Sequence, residues 1–403
     1  MQDSITASKL TEERHKMEQS KKLFNFVSLG KTHDDIKKNL PFTDPCLDPL
    51  NVWTAYGFAV GLGQYYTYLI RPKWLGNNEP IAEHHTYFDA IMGLWFKGIW
   101  GYGGNRDEVF VRGFRKMCNY GYDLVQSHPA YEETMAQCNH TEIKVPTHHH
   151  GDYSVSVLVH TPKQLASRTK RPAIIYAHGG GVVGCSAATH QRFLSKMAVR
   201  CEVVVFNVDY RRPPETKCPN NILDFYEALK YISCHSDILG IDTTKIAIAG
   251  ESGGGYICFG TMVLLSQRNE SNIVKLAIPD IPMSDDDSFY LLNTGMINIV
   301  IKKLWTLIAN DVEKQKNDPL LFPGKASDEI FANMPPIVLL EAEFDIFLAE
   351  NKRLAKRLES AGRLLEYVEF PGQRHGSWIN PRYECHETGF DAYSLIVQKY
   401  LIE

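Results

Sequence analysis

From Glu142 onward, short β-branched runs alternate with stretches of helical periodicity, and this alternation commits the chain to a mostly parallel sheet flanked by helices. Candidate strands are 142–146, 154–161, 172–177, 202–208, 245–249, 276–281, 336–342 and 364–370. Between them lie helical patterns: Phe193 and Met197 after the third run, Ile222, Phe225, Leu229 and Ile232 after the fourth, and Tyr256 through Leu265 after the fifth. Leu348, Leu354 and Leu358 mark a helix before the last strand, and Phe390, Tyr393, Ile396 and Val397 one after it. Residues 50–135 read as aromatic-rich helices without a strand signal, and 288–317 as another helical insert. The expected organisation is a polar leader over 1–40, a helical cap segment over 41–135 and an α/β catalytic domain over 140–403, with a second cap insert at about 285–320.

Composition narrows the function. With 43 Lys+Arg against 47 Asp+Glu in 403 residues the net charge is −4, which argues against a nucleic-acid partner. The nine cysteines are odd in number and include no Cys-x-x-Cys pair, so neither a disulfide framework nor a zinc site is expected. Residues 1–22 are polar, with mixed charge and without the apolar core of a secretory signal, so a cytoplasmic location is expected. Residues 49–70 carry no charge and are long enough to span a bilayer. Asn51, Gln64, Thr54, Thr67, three glycines and four tyrosines favour a buried or interfacial helix of the cap instead, leaving peripheral membrane contact as the alternative.

The chemistry is concentrated in a few short motifs. Gly250-Glu251-Ser252-Gly253-Gly254 directly follows the apolar run 246–249 and precedes a helical pattern. A serine in such a strand–turn–helix needs small neighbours and presents Oγ above the sheet at a helix N-terminus. Earlier, His178-Gly179-Gly180-Gly181 closes the strand at 172–177. Consecutive glycines let backbone N–H groups turn inward, as the oxyanion of an acyl-transfer intermediate requires. No Gly-Lys-Ser/Thr follows and the Gly-x-Gly-x-x-Gly spacing is missing, so phosphate cradling is disfavoured. A serine nucleophile needs a base and an orienting acid, here in the order Ser, acid, His. Asp345 at the end of the seventh run and His375 just after the eighth meet that need; Glu341, Glu343 and Glu350 are rival acids.

With these residues in place the sequence resembles the hormone-sensitive-lipase-like branch of the α/β-hydrolases, which includes arylacetamide deacetylases and many bacterial and fungal esterases. The resemblance covers about 142–403 and runs through His178-Gly179-Gly180-Gly181, Val208-Asp209-Tyr210-Arg211, Gly250 to Gly254, Asp345 with Glu350, and His375-Gly376. It implies an eight-stranded, mostly parallel sheet under a helical cap, and hydrolysis of carboxylic esters by Ser252, Asp345 and His375. It further implies oxyanion donors in the triple-glycine loop (Gly179, Gly180, Gly181) and at Gly253, with His178 and Glu251 as supports. Three places depart from the family pattern: Glu251 and Gly253 stand where Asp and Ala are usual, and Arg212-Pro213-Pro214-Glu215 stands where the family has Leu-Ala-Pro-Glu.

The expected substrate is a small, apolar ester, with no cofactor and no metal. An acyltransferase or a peptidase on the same three residues, and a non-catalytic ligand receptor on the same fold, are the alternatives; an intact His375 opposes the last. His148-His149-His150 reads as a solvent-exposed hairpin turn, Asp285-Asp286-Asp287 as a solvated loop, and His84 and His85 as too isolated to be ligands.

Overall fold

The computed structural model describes residues 106–403, apart from 127, 150, 152, 287–295, 382 and 384. It begins with helix α1 (Arg106–Gln126) and the short helix α2 (Glu132–Ala136), followed by an antiparallel hairpin, β1 (Cys138–Pro146) and β2 (Ser154–Pro162). Next come β3 (Arg171–Ala177), α3 (Gln191–Cys201), β4 (Val204–Asp209), α4 (Asn220–Cys234) and the single turn α5 (Ser236–Leu239). Then follow β5 (Ile241–Glu251) and α6 (Gly253–Gln267), β6 (Leu276–Asp280), α7 (Met296–Ile308) and α8 (Asp328–Ala332). The chain closes with β7 (Ile337–Ala342), α9 (Leu348–Ser360), β8 (Leu364–Phe370) and α10 (Cys385–Val397).

One eight-stranded sheet results, in the order β1-β2-β4-β3-β5-β6-β7-β8, with β2 antiparallel to both its neighbours and all other pairs parallel. The middle stretches of the central strands, Ala173–Ala177 and Ile246–Ala249, are apolar at consecutive positions because both faces are covered. Ile175, Ile246 and Ile248 pack toward α4 and α6, and Ile174, Tyr176, Ala247 and Ala249 toward α3 and α10. Each fully buried aliphatic side chain contributes about 1.5–3 kcal/mol relative to an exposed one.

All eight expected strands are present, and their ends show what local pattern misses. β1 starts four residues earlier than its apolar run, because it pairs with β2 along its whole length from Cys138↔Pro162. β4 starts at Val204 rather than at 202, since Glu202 is left-handed (φ 54°) and caps α3 by donating its N–H to Ala198 and Val199. The leader over 1–40, the uncharged stretch at 49–70, His84 and His85, and all of the 41–135 segment before Arg106 lie outside the described residues. Among the described residues no helix is long and apolar enough to cross a membrane.

Two expectations about loops need correction. The β1–β2 turn is a hairpin, but His149 is not solvent-exposed: its Nε2 lies 2.9 Å from the Arg211 guanidinium and 3.1 Å from Asp224 Oδ1. Asp224 is fully buried, and a buried carboxylate draws in every nearby polar partner. The Asp285–Asp286 segment is half-buried rather than freely solvated, with Asp286 paired to Lys325.

Candidate active site

β5 delivers Ser252 to the carboxyl edge of the sheet, and α6 carries the chain away at once. The turn between them forces Ser252 to φ 56°, ψ −118°, a conformation L-residues rarely adopt and one that the surrounding packing must hold. The glycines around it serve close approach. A Cβ on Gly254 would fall 2.0 Å from Ala177 O, and one on Gly253 would fall 2.4 Å from Val182 N. α6 therefore presses directly on β3 and on the loop that follows it, and it is buried on all sides.

Asp345 and His375 come from different loops, which are tied together by the Phe344 N–H to Gln373 O bond (2.9 Å). His375 Nε2 lies 2.7 Å from Ser252 Oγ, and His375 Nδ1 lies 2.7 Å from Asp345 Oδ2. Asp345 Oδ1 accepts the Phe347 N–H at 2.8 Å, and the Phe347 ring packs edge-on against the imidazole. The Asp345 carboxylate has no exposed surface, whereas the His375 ring is 30% exposed. Burial, the largest single effect, pushes the imidazole's proton affinity down, but the charge and hydrogen bond of Asp345 together with the charges of Asp280 and Glu251 outweigh it, and the net shift is upward.

The three rival acids are engaged elsewhere. Glu341 accepts from the Ala342 N–H and from Asn351 and is pushed upward in pKa by burial beside Asp345. Glu343 accepts the Gly372 N–H at 2.6 Å, and Glu350 accepts the Ser284 N–H at 2.9 Å.

The glycine loop is anchored from below. Glu251, 1% exposed, accepts the Gly179 N–H (2.6 Å), a bond from Tyr176 Oη and a long one from Tyr122 Oη (3.4 Å), and meets His190 Nε2 at 2.7 Å. Burial, the largest single effect, lowers the His190 pKa, but the charge and hydrogen bond of Glu251 with smaller contributions from Cys185 and the Ser186 backbone together raise it. Gly179 thus needs correction as an oxyanion donor, because its N–H is spent on Glu251. His178 is buried and stacked on Tyr210, with Nδ1 bonded to Gly179 O (2.9 Å), and burial keeps the ring neutral. Gly180 and Gly181 take positive φ (97° and 59°), and a Cβ on Gly181 would strike Leu304 of α7.

α1 fastens the same loop from the side: Arg115 donates to Val183 O (2.9 Å), to Pro213 O (2.9 Å) and in two bonds to Glu215. His190, Tyr122, Tyr176 and Arg115 carry no sequence motif, since each acts on a residue far away in the chain. Asp280, whose main-chain oxygen accepts the Ser252 N–H at 2.9 Å, left a signal, a charged residue in an otherwise apolar strand run. Among the described residues no group of three or more His, Cys, Asp or Glu is placed to hold a metal ion.

Comparison with known proteins agrees with this architecture. The chain is 28% identical over 241 residues to the arylesterase of Saccharolobus solfataricus, covering 57% of this chain and 75% of that protein. It is 26% identical over 233 residues to the ethyl acetate hydrolase of Pseudomonas putida, covering 55% and 71%. Across the relatives the matched stretch spans from 65% to 75% of their own length. The solved structure of a bacterial heroin esterase superposes with a TM-score of 0.63 at 27% identity, covering 71% of this chain and 90% of that one. The model of the family described as the α/β-hydrolase fold matches residues 174–379, half of the chain and all the strands that carry Ser252 and Asp345. The chain therefore belongs to the α/β-hydrolase family, in its hormone-sensitive-lipase-like branch.

Proposed function

We propose that the chain hydrolyses small-molecule carboxylic esters through an acyl-enzyme on Ser252. The observation that carries the reading is the continuous relay from Ser252 Oγ through His375 to Asp345, with both links at 2.7 Å. Relatives named for esterase activity support the substrate class.

In this mechanism His375 Nε2 takes the hydroxyl proton as Ser252 Oγ attacks the ester carbonyl. Asp345 accepts the Nδ1–H, fixing the tautomer and stabilising the imidazolium. The developing oxyanion is held by the N–H groups of Gly180, Gly181 and Gly253; the last opens α6, and the first N–H groups of a helix have no intrahelical acceptor. The tetrahedral intermediate collapses, His375 protonates the departing alcohol, and water activated by the same ring releases the acid. α1 and α7 serve as the cap, joined by Lys303 to Asp107, with Phe114 and Leu304 meeting over Gly181. Two apolar side chains above the oxyanion loop favour an apolar acyl or alcohol group.

The test is a fluorophosphonate probe followed by peptide mass analysis, alongside turnover of a short-chain p-nitrophenyl ester by Ser252→Ala. One adduct on the peptide containing Ser252, and a loss of kcat on the order of 10⁴–10⁶ with unchanged Tm, are expected. An adduct elsewhere, with turnover surviving in the variant, overturns the assignment.

A further inference from the structure

Directly beneath Ser252, at the end of β6, lies a carboxyl group that the mechanism above does not use. Asp280 is 2% exposed, in register with Glu251 on the neighbouring strand, and its main-chain oxygen accepts the Ser252 N–H at 2.9 Å. Its side chain reaches the other half of the site: Oδ2 accepts the indole N–H of Trp378 at 2.8 Å, three residues past His375. Trp378 is itself fixed by Phe193, Phe390 and Tyr393, and by Gly389 of α10, where a Cβ would fall 2.7 Å from the indole. Asp280 Oδ1 is buried and has no hydrogen-bond partner among the described residues.

We propose that Asp280 is a positioning residue that ties the nucleophile turn to the histidine turn and whose negative charge biases the His375 ring toward its protonated form. The inference rests on the proposed role of His375 as base. Three acids from three strand ends, Asp345, Asp280 and Glu251, favour the imidazolium. Only Asp280 has both an orphan oxygen and a contact to the loop that carries the ring. On its other sides it faces Tyr176 from β3, Tyr393 from α10 and Glu341 from β7. Burial, eased by the Trp378 bond and reinforced by the Glu251 charge, pushes the Asp280 carboxyl up to about 7. The two groups act on each other, the Asp280 carboxylate favouring the His375 imidazolium and the imidazolium favouring the carboxylate.

The sign follows from the charges. A neutral residue at 280 removes an anion beside the imidazole, so the ring gives up its proton at lower pH. The acid limb of kcat/KM then moves down. Asp280→Asn keeps the size and an oxygen for the Trp378 donor. Trp378→Phe removes that donor, raising the carboxyl's affinity for a proton, and shifts the limb in the same direction. Both variants are compared with the intact chain on p-nitrophenyl butyrate, monitored at the isosbestic wavelength, with folding checked by near-ultraviolet circular dichroism. A downward shift of the limb by about half a pH unit or more in Asp280→Asn, and a smaller one in Trp378→Phe, is expected. A lowered kcat with an unmoved limb in both variants overturns the proposal and leaves Asp280 a packing residue. Survival of turnover in Ser252→Ala would instead overturn the functional reading beneath it.

Discussion

The glycine-loop half of the site and the histidine half are held by different kinds of interaction. Under the glycine loop, Glu251 gathers a backbone N–H, His190, the buried Tyr176 and the partly buried Tyr122, while Arg115 clamps the outside through two carbonyls and Glu215. Around His375 the ring is partly open to solvent, and the turn that carries it is secured by single bonds: Phe344 to Gln373, Gly372 to Glu343, and Trp378 to Asp280. The physical demands differ. An oxyanion hole works by donors already in place, and any reorganisation during the reaction subtracts from its benefit. A general base must exchange protons with its surroundings and change charge twice in a cycle, which a sealed, fully paired environment would oppose.

If this contrast is correct, the two halves respond unequally to loss of one carboxylate. Glu251→Gln leaves His190 buried without its anion and is expected to lower stability by about 3–5 kcal/mol in urea denaturation. Glu343→Ala, which removes one exposed bond to Gly372, should cost about 1 kcal/mol. Equal losses would break the comparison.

A second variant sharpens it at the level of catalysis. In Gly253→Ala the new methyl meets Val182 N, so the loop bearing Gly181 must retreat from the nucleophile. A fall in kcat of about 10²–10³ with little change in KM is expected, the effect of losing one oxyanion donor. If the alanine enzyme keeps full kcat, the loop is not held rigidly against α6.

The smallest effect concerns the base side alone. Because Asp345, with Asp280 and Glu251, more than offsets the effect of burial on His375, the acid limb of kcat/KM should be centred above the ordinary histidine value of about 6.5. Activity is lost as pH falls through that raised value, since only the neutral ring accepts the serine proton. A limb centred below 6.5 would mean that desolvation, not the Asp345 charge, governs the ring.

What could be read in the sequence was what local chemistry imposes. The strand runs are legible because a strand buried on both faces must be apolar at consecutive positions, and Ser252 because a nucleophile at a tight strand–helix turn needs glycine on both sides. Asp345 and His375 followed from chain order and from their positions at strand ends. Asp345 was separable from Glu341 by strand position, but what each rival acid does instead was settled only by its partners: Asn351, Gly372 and Ser284.

The rest depends on groups that meet only when the chain is folded. The Gly179 N–H looks in the sequence like its two glycine neighbours. It is diverted to Glu251 because β3 and β5 lie side by side, with Ala177 opposite Gly250. His149 sits in a polar turn by its neighbours in sequence, yet the buried Asp224 draws it in from α4. His190, Arg115 and Trp378 act on residues many turns of chain away. Single residue types therefore specified the strands and the candidate reacting groups, while the order of strands in the sheet decided which charges those groups face and how tightly each is held.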